Sequence, residues 1–267
     1  MMPRFKTLEI SNPLYENSHL RYITVKTPNL RGRGDISVYA PAGLCSLDML
    51  PIVILLHGVY GSAWSWAYSS GVHLKVDELI QKGELPPMIL AMPSDGLWGD
   101  GSGYLPHGAY DFEKWIAEDV PDALVECIAG AKKESPLFIS GLSMGGFGAL
   151  RIGAKYSSKF KAISGHSSIT SLAQIKFFVE ESLKSYAQDS PADEDVFETF
   201  LRNRKNLPPI RIDCGTDDLL ISYNRSLHQK MEKAGIPHHY EENPGSHDWA
   251  YWSKHIISSL KFFAGTL

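Results

Sequence analysis

The most constraining feature of this sequence is a stretch that reads as a buried strand, a tight turn and a helix in direct succession. An apolar run at residues 137–140 leads into the motif G-x-S-x-G at residues 141–145, and small residues follow. In such a turn the serine is held under backbone strain, and Gly141 and Gly145 avoid collisions with neighbouring elements. The pattern predicts that Ser143 is a nucleophile at the carboxyl edge of a sheet, in preference to an incidental serine in a glycine-rich turn.

Strand-like segments recur along the whole chain, without repeats or a linker rich in Pro and Ser. Continuous apolar runs are typical of strands buried on both faces of a parallel sheet. Such runs lie at residues 51–56, 87–92, 137–140, 160–164 and 209–214. Alternating β-branched residues predict two antiparallel strands at 21–27 and 35–39, and residues 238–242 are one more candidate.

Helix-like segments separate these strands. Apolar residues that recur every four positions predict helices with one face toward the core. Two such stripes are Ile116, Val120, Leu124 and Ile128, and Trp252, Ile256, Leu260 and Phe263. Because proline lacks an N–H and clashes with the preceding turn, Pro121 is expected to kink the first helix or to mark its start.

The alternation of strands and helices predicts one α/β domain over residues 1–267. With the G-x-S-x-G turn, it favours the α/β-hydrolase fold, a mostly parallel central sheet with helices on both faces. Residues 166–206 form the longest segment between two predicted strands and hold two short apolar-faced helical candidates. Since it would emerge at the ligand-binding edge of the sheet, we expect a cap over Ser143. The alternative is that these helices pack away from that edge.

Charge and cysteine content exclude several classes of protein. The net charge of −4, with scattered Lys and Arg, gives no basic field for nucleic acid. The longest apolar run, residues 52–56, is too short to cross a bilayer, and charged residues precede any apolar run at the N-terminus. We therefore expect neither a signal peptide nor a membrane partner. Cys45, Cys127 and Cys214 form no C-x-x-C pair, which favours a reducing, cytoplasmic location.

The loop after the first buried strand is a candidate oxyanion hole. It begins His57-Gly58-Val59, where this fold places one backbone donor. We expect the N–H groups of Val59 and Met144 to bind an oxygen that gains negative charge; the alternative is a loop that merely leaves a strand. His57 is not expected to be the general base, because it precedes Ser143 whereas the chain order in this fold is serine, acid, histidine.

Two carboxylates, Asp217 and Asp218, follow the late strand at residues 209–214. A buried carboxylate there would hold the Nδ1–H of the histidine and stabilise the imidazolium formed on attack. Both are within reach, but the familiar arrangement has a glycine three positions before the acid. Gly215 therefore favours Asp218, and the other aspartate is expected to cap a helix beginning at Leu219.

Among ten histidines, His247 has the chain order and position expected of the general base. It lies in a loop, residues 245–249, between the last predicted strand and the last helix, and such a loop can fold over the sheet edge. His166 is the runner-up, because it follows the strand after the G-x-S-x-G turn. His238 and His239 lack the spacing of metal ligands and no H-E-x-x-H occurs, so we expect neither a metal nor a cofactor.

Together these motifs resemble the putative-esterase family of α/β-hydrolases, which includes S-formylglutathione hydrolases, tributyrin esterases, feruloyl and acetylxylan esterases, and mycolyltransferases. The resemblance covers most of the chain, and the motifs around Ser143 and His247 are its most specific parts. It implies a serine esterase without a cofactor. The implied roles are Ser143 as nucleophile, Asp218 as acid, His247 as base, and the N–H groups of Val59 and Met144 as the oxyanion hole.

The sequence departs from the S-formylglutathione hydrolase pattern, which has a serine at the position of His57 and a cysteine-containing stretch in place of residues 60–64. We therefore expect a small-molecule partner that is a plain carboxylic ester, with short-chain, aromatic or sugar-linked acyl groups, rather than a glutathione thioester. An acyltransferase with the same triad and a catalytically silent binding module are the alternative functions. The sequence leaves the oligomeric state open.

Aromatic residues crowd the loops expected at the active edge. Tyr60, Trp66, Trp98 and Tyr104 are predicted to bind substrate, with Trp64 close by. Their rings would form a hydrophobic, stacking pocket for an acyl or sugar group. In the alternative interpretation about half of them are packed beneath the loops.

Overall fold

The computed structural model of this chain describes residues 4–43 and 49–267, so the predicted free Cys45 lies outside the described residues. Within these ranges Cys127 and Cys214 are free thiols. The described residues form a central sheet between two layers of helices, and no helix among them is long and apolar enough to span a membrane.

Nine of the strands in the described ranges belong to the main sheet, and β6 and β7 form a separate hairpin. The strands are β1 (Leu8–Ile10), β2 (Leu20–Thr27), β3 (Gly32–Tyr39), β4 (Ile52–Leu56), β5 (Ile89–Pro93), β6 (Pro106–His107), β7 (Tyr110–Asp111), β8 (Leu137–Leu142), β9 (Phe160–His166), β10 (Ile210–Gly215) and β11 (His239–Asn243). The order in the main sheet is β1-β2-β3-β5-β4-β8-β9-β10-β11.

The first three strands pair antiparallel, and β3 runs antiparallel to β5. From β5 to β11 every pair is parallel. The predicted fold class is thus confirmed, because buried apolar runs became parallel strands and the two alternating segments became the antiparallel lead-in. Parallel strands bring their carboxyl ends to one edge, and the loops after β4, β8 and β10 meet there.

Helices cover both faces of the sheet. They are α1 (Ser65–Ser70), α2 (Val72–Gln81), α3 (Phe112–Lys114), α4 (Val120–Cys127), α5 (Met144–Lys155), α6 (Val196–Asn203), α7 (Ile221–Ala234) and α8 (Trp249–Ala264). Helices α1, α2 and α8 pack in one layer, and α3 to α7 in the other. Strand β4 packs against both layers. Its residues Ile52, Ile54 and Leu56 face the layer of α3 to α7, while Val53 and Leu55 face the layer of α1, α2 and α8.

The helical path around Pro121 is not one regular α-helix. It begins at Phe112, continues through a π-helical turn at Trp115–Asp119 and ends at Cys127. Pro121 lies in the first turn of α4, a position that tolerates proline, so it marks the start of this α-helix, which is one of the two expected outcomes. The wider turn before it absorbs the mismatch of the ring with the preceding carbonyls.

The segment predicted as a cap divides into two parts of different structure. Its first part is a series of 3₁₀ turns at Leu172–Phe177, Leu183–Tyr186 and Pro191–Glu194, where a short α-helix was expected. Its second part is helix α6, which packs beside α5 and α7 and buries Val196 and Phe200 in the core. The second predicted helix therefore exists, but it packs on the flank of the sheet.

Candidate active site

Ser143 occupies the sharp turn between β8 and α5. Its backbone has φ 54° and ψ −117°, a conformation that costs a non-glycine residue of order 1 kcal/mol or more. The turn is held by the N–H of Ser143, which donates to the carbonyl oxygen of His166 at the end of β9 at 2.9 Å. The serine is thereby fixed at the carboxyl edge of the sheet, at the N-terminus of α5.

The two glycines of the motif make this turn sterically possible. A Cβ on Gly141 would lie 2.2 Å from the carbonyl oxygen of Gly145, and a Cβ on Gly145 would lie 2.3 Å from that of Leu56. Both contacts are to backbone atoms of packed strands and helices, which cannot move aside as a flexible side chain would. The two glycines are therefore required by the close packing of β8 against α5 and of α5 against β4.

Ser143, His247 and Asp218 form one continuous hydrogen-bonded chain. The Nε2 of His247 lies 3.0 Å from the Oγ of Ser143, and its Nδ1 lies 2.9 Å from Oδ2 of Asp218. Since the structure places a carboxylate at Nδ1, that nitrogen carries the proton and Nε2 is free to accept the proton of the serine. The geometry is that of a nucleophile, a general base and an orienting acid.

The two adjacent aspartates have different surroundings. Asp218 is buried, and besides His247 it accepts the backbone N–H of Leu220 at 2.7 Å. The side chain of Asp217 is exposed and makes no hydrogen bond within the described ranges. The prediction that Asp217 caps a helix beginning at Leu219 was therefore wrong. Helix α7 begins at Ile221, and Asp218 binds both His247 and the N–H of Leu220 just before that helix.

The loop after β4 places the backbone of Val59 beside Ser143 in the same cleft. The N–H groups of Val59 and of Met144, the first residue of α5, donate to no acceptor within the described part of the chain. Their side chains converge on Gly101, where a Cβ would lie 2.6 Å from the sulfur of Met144. The loop is tied down from outside, because the N–H of Tyr60 donates to the carbonyl oxygen of Asp100 at 2.8 Å.

His57 is a buried residue at the start of this loop and makes no hydrogen bond to Ser143 within the described ranges. Its Nδ1 donates to the carbonyl oxygen of Gly58 at 2.6 Å, and its Nε2 accepts the N–H of Asp95 at 3.1 Å. Both ring nitrogens are thus used in holding the backbone. Nearby, the hydroxyl of Tyr104 donates to the carbonyl oxygen of His57 at 3.1 Å. His57 is a buried support of the loop, in agreement with the chain-order argument.

His166, the runner-up for the base, is fully buried behind the turn. Its Nδ1 lies 2.8 Å from Oδ2 of Asp213 and its Nε2 lies 2.9 Å from the Oγ of Ser259. It does not face the cleft. His166 reaches the site only through its backbone, by accepting the N–H of Ser143.

The cleft above Ser143 has a volume of about 340 Å³ and is largely aromatic. Five aromatic rings line it, and they belong to Tyr60, Trp64, Phe178, Trp249 and Trp252. Tyr60 and Trp64 are exposed at its mouth, and Trp252 is buried at its wall. Such a cleft favours an apolar or aromatic group next to the serine.

Three of the predicted substrate-binding residues lie elsewhere. Trp66 is buried in the core, and its indole N–H donates to the carbonyl oxygen of Leu56 at 3.0 Å. Tyr104 is fully buried beneath His57. Trp98 packs edge-on against the rings of His107 and Tyr186, outside the cleft. The three rings pack away from the cleft because large aromatic side chains bury more apolar surface there than they would beside the serine.

Three aromatic residues of the cleft were not predicted from the sequence to belong to the site. Trp252 belongs to a stripe that was expected to face the core, and Trp249 lies in the loop at residues 245–249 that carries His247. Phe178 lies in the segment at residues 166–206 that was predicted as a cap, and its ring stacks on that of His247 with centroids 5.4 Å apart. Trp249 and Trp252 follow the histidine by two and five residues, and this spacing is a signal that places them near it.

Comparisons with known proteins find several similar esterases. An acetyl esterase of Caldicellulosiruptor saccharolyticus is 29% identical over 237 residues, covering 81% of this chain and 84% of that protein. Among solved structures, a ferulic acid esterase superposes with a TM-score of 0.80 at 23% identity, covering 98% of this chain and 100% of the other. The S-formylglutathione hydrolase of Staphylococcus aureus superposes with a TM-score of 0.78 at 17% identity, covering 96% and 99%. These two structures share the fold.

A family model described as "Putative esterase" matches residues 27–263, which include the whole parallel part of the sheet. The match contains Ser143, Asp218 and His247, so the three residues that meet in the structure lie within the region that defines the family. This chain belongs to the putative-esterase family.

Proposed function

We propose that this chain hydrolyses carboxylic esters through an acyl-enzyme on Ser143, with His247 as general base and Asp218 as orienting acid. The observation that carries the proposal is the continuous chain from the Oγ of Ser143 through His247 to Asp218. A serine hydroxyl is a weak nucleophile, and a base within hydrogen-bond distance is what activates it. Membership of an esterase family supports the same chemistry.

In the first half-reaction the Oγ of Ser143 attacks the ester carbonyl carbon while Nε2 of His247 takes the hydroxyl proton. The carbonyl oxygen gains negative charge and is bound by the N–H groups of Val59 and Met144, each worth a few kcal/mol in the transition state. The bond to the alcohol then breaks, and His247 returns the proton to the leaving oxygen. Asp218 stabilises the imidazolium throughout.

In the second half-reaction water attacks the acyl-enzyme, His247 takes a proton from it, and the acid leaves as Ser143 regains its hydrogen. The same triad would transfer the acyl group to an alcohol in place of water. Hydrolysis is favoured here because the chain belongs to an esterase family and is similar to an acetyl esterase. We keep transfer as the second candidate.

We further propose that the substrate carries a short or aromatic acyl group. The names of the relatives, an acetyl esterase and a ferulic acid esterase, point to acyl groups of these two kinds. A cleft of about 340 Å³ with aromatic walls suits them. Residues 172–186 are proposed as the part of the predicted cap that narrows the cleft, since Phe178 lies in this segment and α6 packs elsewhere.

The proposal is tested with p-nitrophenyl acetate, methyl ferulate and an acetylated sugar, each with and without an added alcohol acceptor. We expect free acid as the main product from at least one ester, and no activity on that ester in Ser143→Ala. Acyl transfer to the acceptor as the main product would favour the second candidate. No turnover of any ester by the wild-type protein would contradict the proposal.

A further inference from the structure

The ring of Phe178 lies on the face of the His247 imidazole, with centroids 5.4 Å apart and 23° between the planes. Trp252 meets the same imidazole at nearly a right angle, with centroids 4.9 Å apart. The side chain of His247 is left only 13% exposed. A histidine on a loop is thus held between two aromatic rings, one of which comes from a distant segment of the chain.

Phe178 is itself fixed by a contact to the loop after β4, which carries Val59 and Tyr60. The hydroxyl of Tyr60 donates to the carbonyl oxygen of Phe178. Partial desolvation and the carboxylates of Asp100, Glu180 and Glu181 raise the pKa of Tyr60, so its phenol keeps the proton that it donates. Tyr60 therefore connects Phe178, whose ring stacks on His247, with the loop that carries Val59.

Residues that follow Phe178 in the chain hold its segment in place. The N–H of Glu180 donates to Oδ2 of Asp100 at 2.8 Å, and Oε1 of Glu181 accepts the N–H of Asp100 at 2.9 Å. Further along, the hydroxyl of Tyr186 donates to the carbonyl oxygen of Gly101 at 2.8 Å. These contacts fix the backbone on which Phe178 is mounted, which lowers the conformational freedom of its ring.

The stacked arrangement matters most when the imidazole is charged. A cation within about 6 Å of an aromatic ring, over its face, is attracted by the negative charge of that face. His247 is neutral before attack and becomes an imidazolium as it takes the serine proton. An attraction present only in the charged form stabilises the transition state more than the ground state, and such an interaction raises kcat.

We propose that Phe178 is a positioning residue for His247: its ring, anchored by Tyr60, keeps the imidazole in line with Ser143 and stabilises the imidazolium formed on attack. This inference rests on the proposed function, because it assigns Phe178 an effect through the general base. It gives the segment at residues 172–186 a part in catalysis beyond narrowing the cleft.

The test compares kcat and KM on p-nitrophenyl acetate for Phe178→Leu, Phe178→Tyr and Phe177→Leu. Leucine keeps an apolar cover and removes the aromatic face, while tyrosine keeps the face. We expect Phe178→Leu to lower kcat roughly three-fold to ten-fold with KM within about two-fold, and Phe178→Tyr to retain kcat within about two-fold. Phe177 is exposed, packs on Tyr223 and meets Phe178 edge-on with centroids 6.4 Å apart, but it does not line the cleft. Phe177→Leu is therefore the neighbouring control and should keep kcat within about two-fold of wild type.

A second variant guards against a folding defect in Phe178→Leu. Tyr60→Phe removes only the hydroxyl that anchors Phe178, and we expect a smaller fall in kcat. The double variant should be no slower than Phe178→Leu alone, because both changes act through one contact. Wild-type kcat in Phe178→Leu, an equal loss in Phe178→Tyr, or a rise in KM with kcat unchanged would overturn the inference. Loss of all activity in Ser143→Ala tests the proposed function separately.

Discussion

Both carboxylate oxygens of Asp218 lie within 3.0 Å of Nδ1 of His247, which stands 29 residues further along the chain. The neighbouring Asp217 points into solvent. We therefore expect Asp218→Asn to lower kcat by about 10⁴, because an amide lacks the charge that stabilises the imidazolium and favours the wrong tautomer. Asp217→Asn should stay within about two-fold of wild type. The measurement is the steady-state kcat of both variants on one ester. A larger loss of kcat in Asp217→Asn than in Asp218→Asn would show that the acid is misassigned.

The turn at Ser143 leads to a prediction about Gly145. In Gly145→Ala the new methyl group would lie 2.3 Å from the carbonyl oxygen of Leu56, so β4 and α5 must separate. We expect a loss of roughly 3 kcal/mol in the free energy of unfolding together with loss of activity. Gly32→Ala, where the closest atom is 3.4 Å away, is the matched control. Urea unfolding of both variants measures this, and an active, fully stable Gly145→Ala would contradict the packing argument.

The segment at residues 172–186 is proposed to narrow the cleft beside Ser143. With the rings of Phe178, Trp249 and Trp252 lining this space, unbranched acyl chains of about two to four carbons should be turned over fastest. Longer chains lose room, and kcat/KM should fall steeply as methylenes are added. A series of p-nitrophenyl esters from two to twelve carbons provides the measurement. An optimum at eight carbons or more would rule out this account of the cleft.

A buried carboxylate behind the site makes stability depend on pH. Burial opposes the ionisation of Asp213, but the adjacent His166 and Arg211 outweigh it and lower its pKa from 3.8 to about 2. Since this pKa is lower in the folded than in the unfolded chain, the charge stabilises the fold above pH 4, and that stabilisation is lost as pH falls through 2. Its size is about 2 kcal/mol.

The prediction is checked by urea unfolding of the wild type and of Asp213→Asn between pH 7 and pH 2.5. We expect Asp213→Asn to be less stable by about 3 to 5 kcal/mol at pH 7, because its buried partners lose a counter-charge. The difference between the two proteins should shrink below pH 4. Asp217→Asn, at an exposed position, should follow the wild type. A constant difference across this range would show that Asp213 is not charged in the folded protein.

Local patterns in the sequence predicted much of this molecule. Ser143 could be predicted because its turn requires glycines at positions 141 and 145. All the residues that specify this turn lie within five consecutive positions. His247 and Asp218 could be ranked by chain order and by a single glycine spacing. The parallel strands could be predicted because a strand buried on both faces requires a continuous apolar run.

Local patterns could not separate the aromatic residues that line the cleft from those that are buried away from it. Trp64 and Trp66 are two positions apart at the start of α1, yet Trp66 is buried in the core and Trp64 is exposed at the cleft. The difference depends on how α1 packs on the sheet, which is a property of the whole fold. Phe178 reaches His247 through a segment of 3₁₀ turns held by Tyr60 and Asp100, and these contacts join residues about eighty or more positions apart.

The most direct test of the account is covalent labelling with a fluorophosphonate, followed by peptide mapping. The reagent reacts with a serine only where a base activates its hydroxyl, so it reports on the Ser143–His247 pair and not on the mere presence of a serine. We predict one label per chain, located on Ser143, with labelling abolished in Ser143→Ala and strongly slowed in His247→Ala. A label on another serine, or labelling of Ser143→Ala at the wild-type rate, would contradict the assignment of Ser143 as the nucleophile.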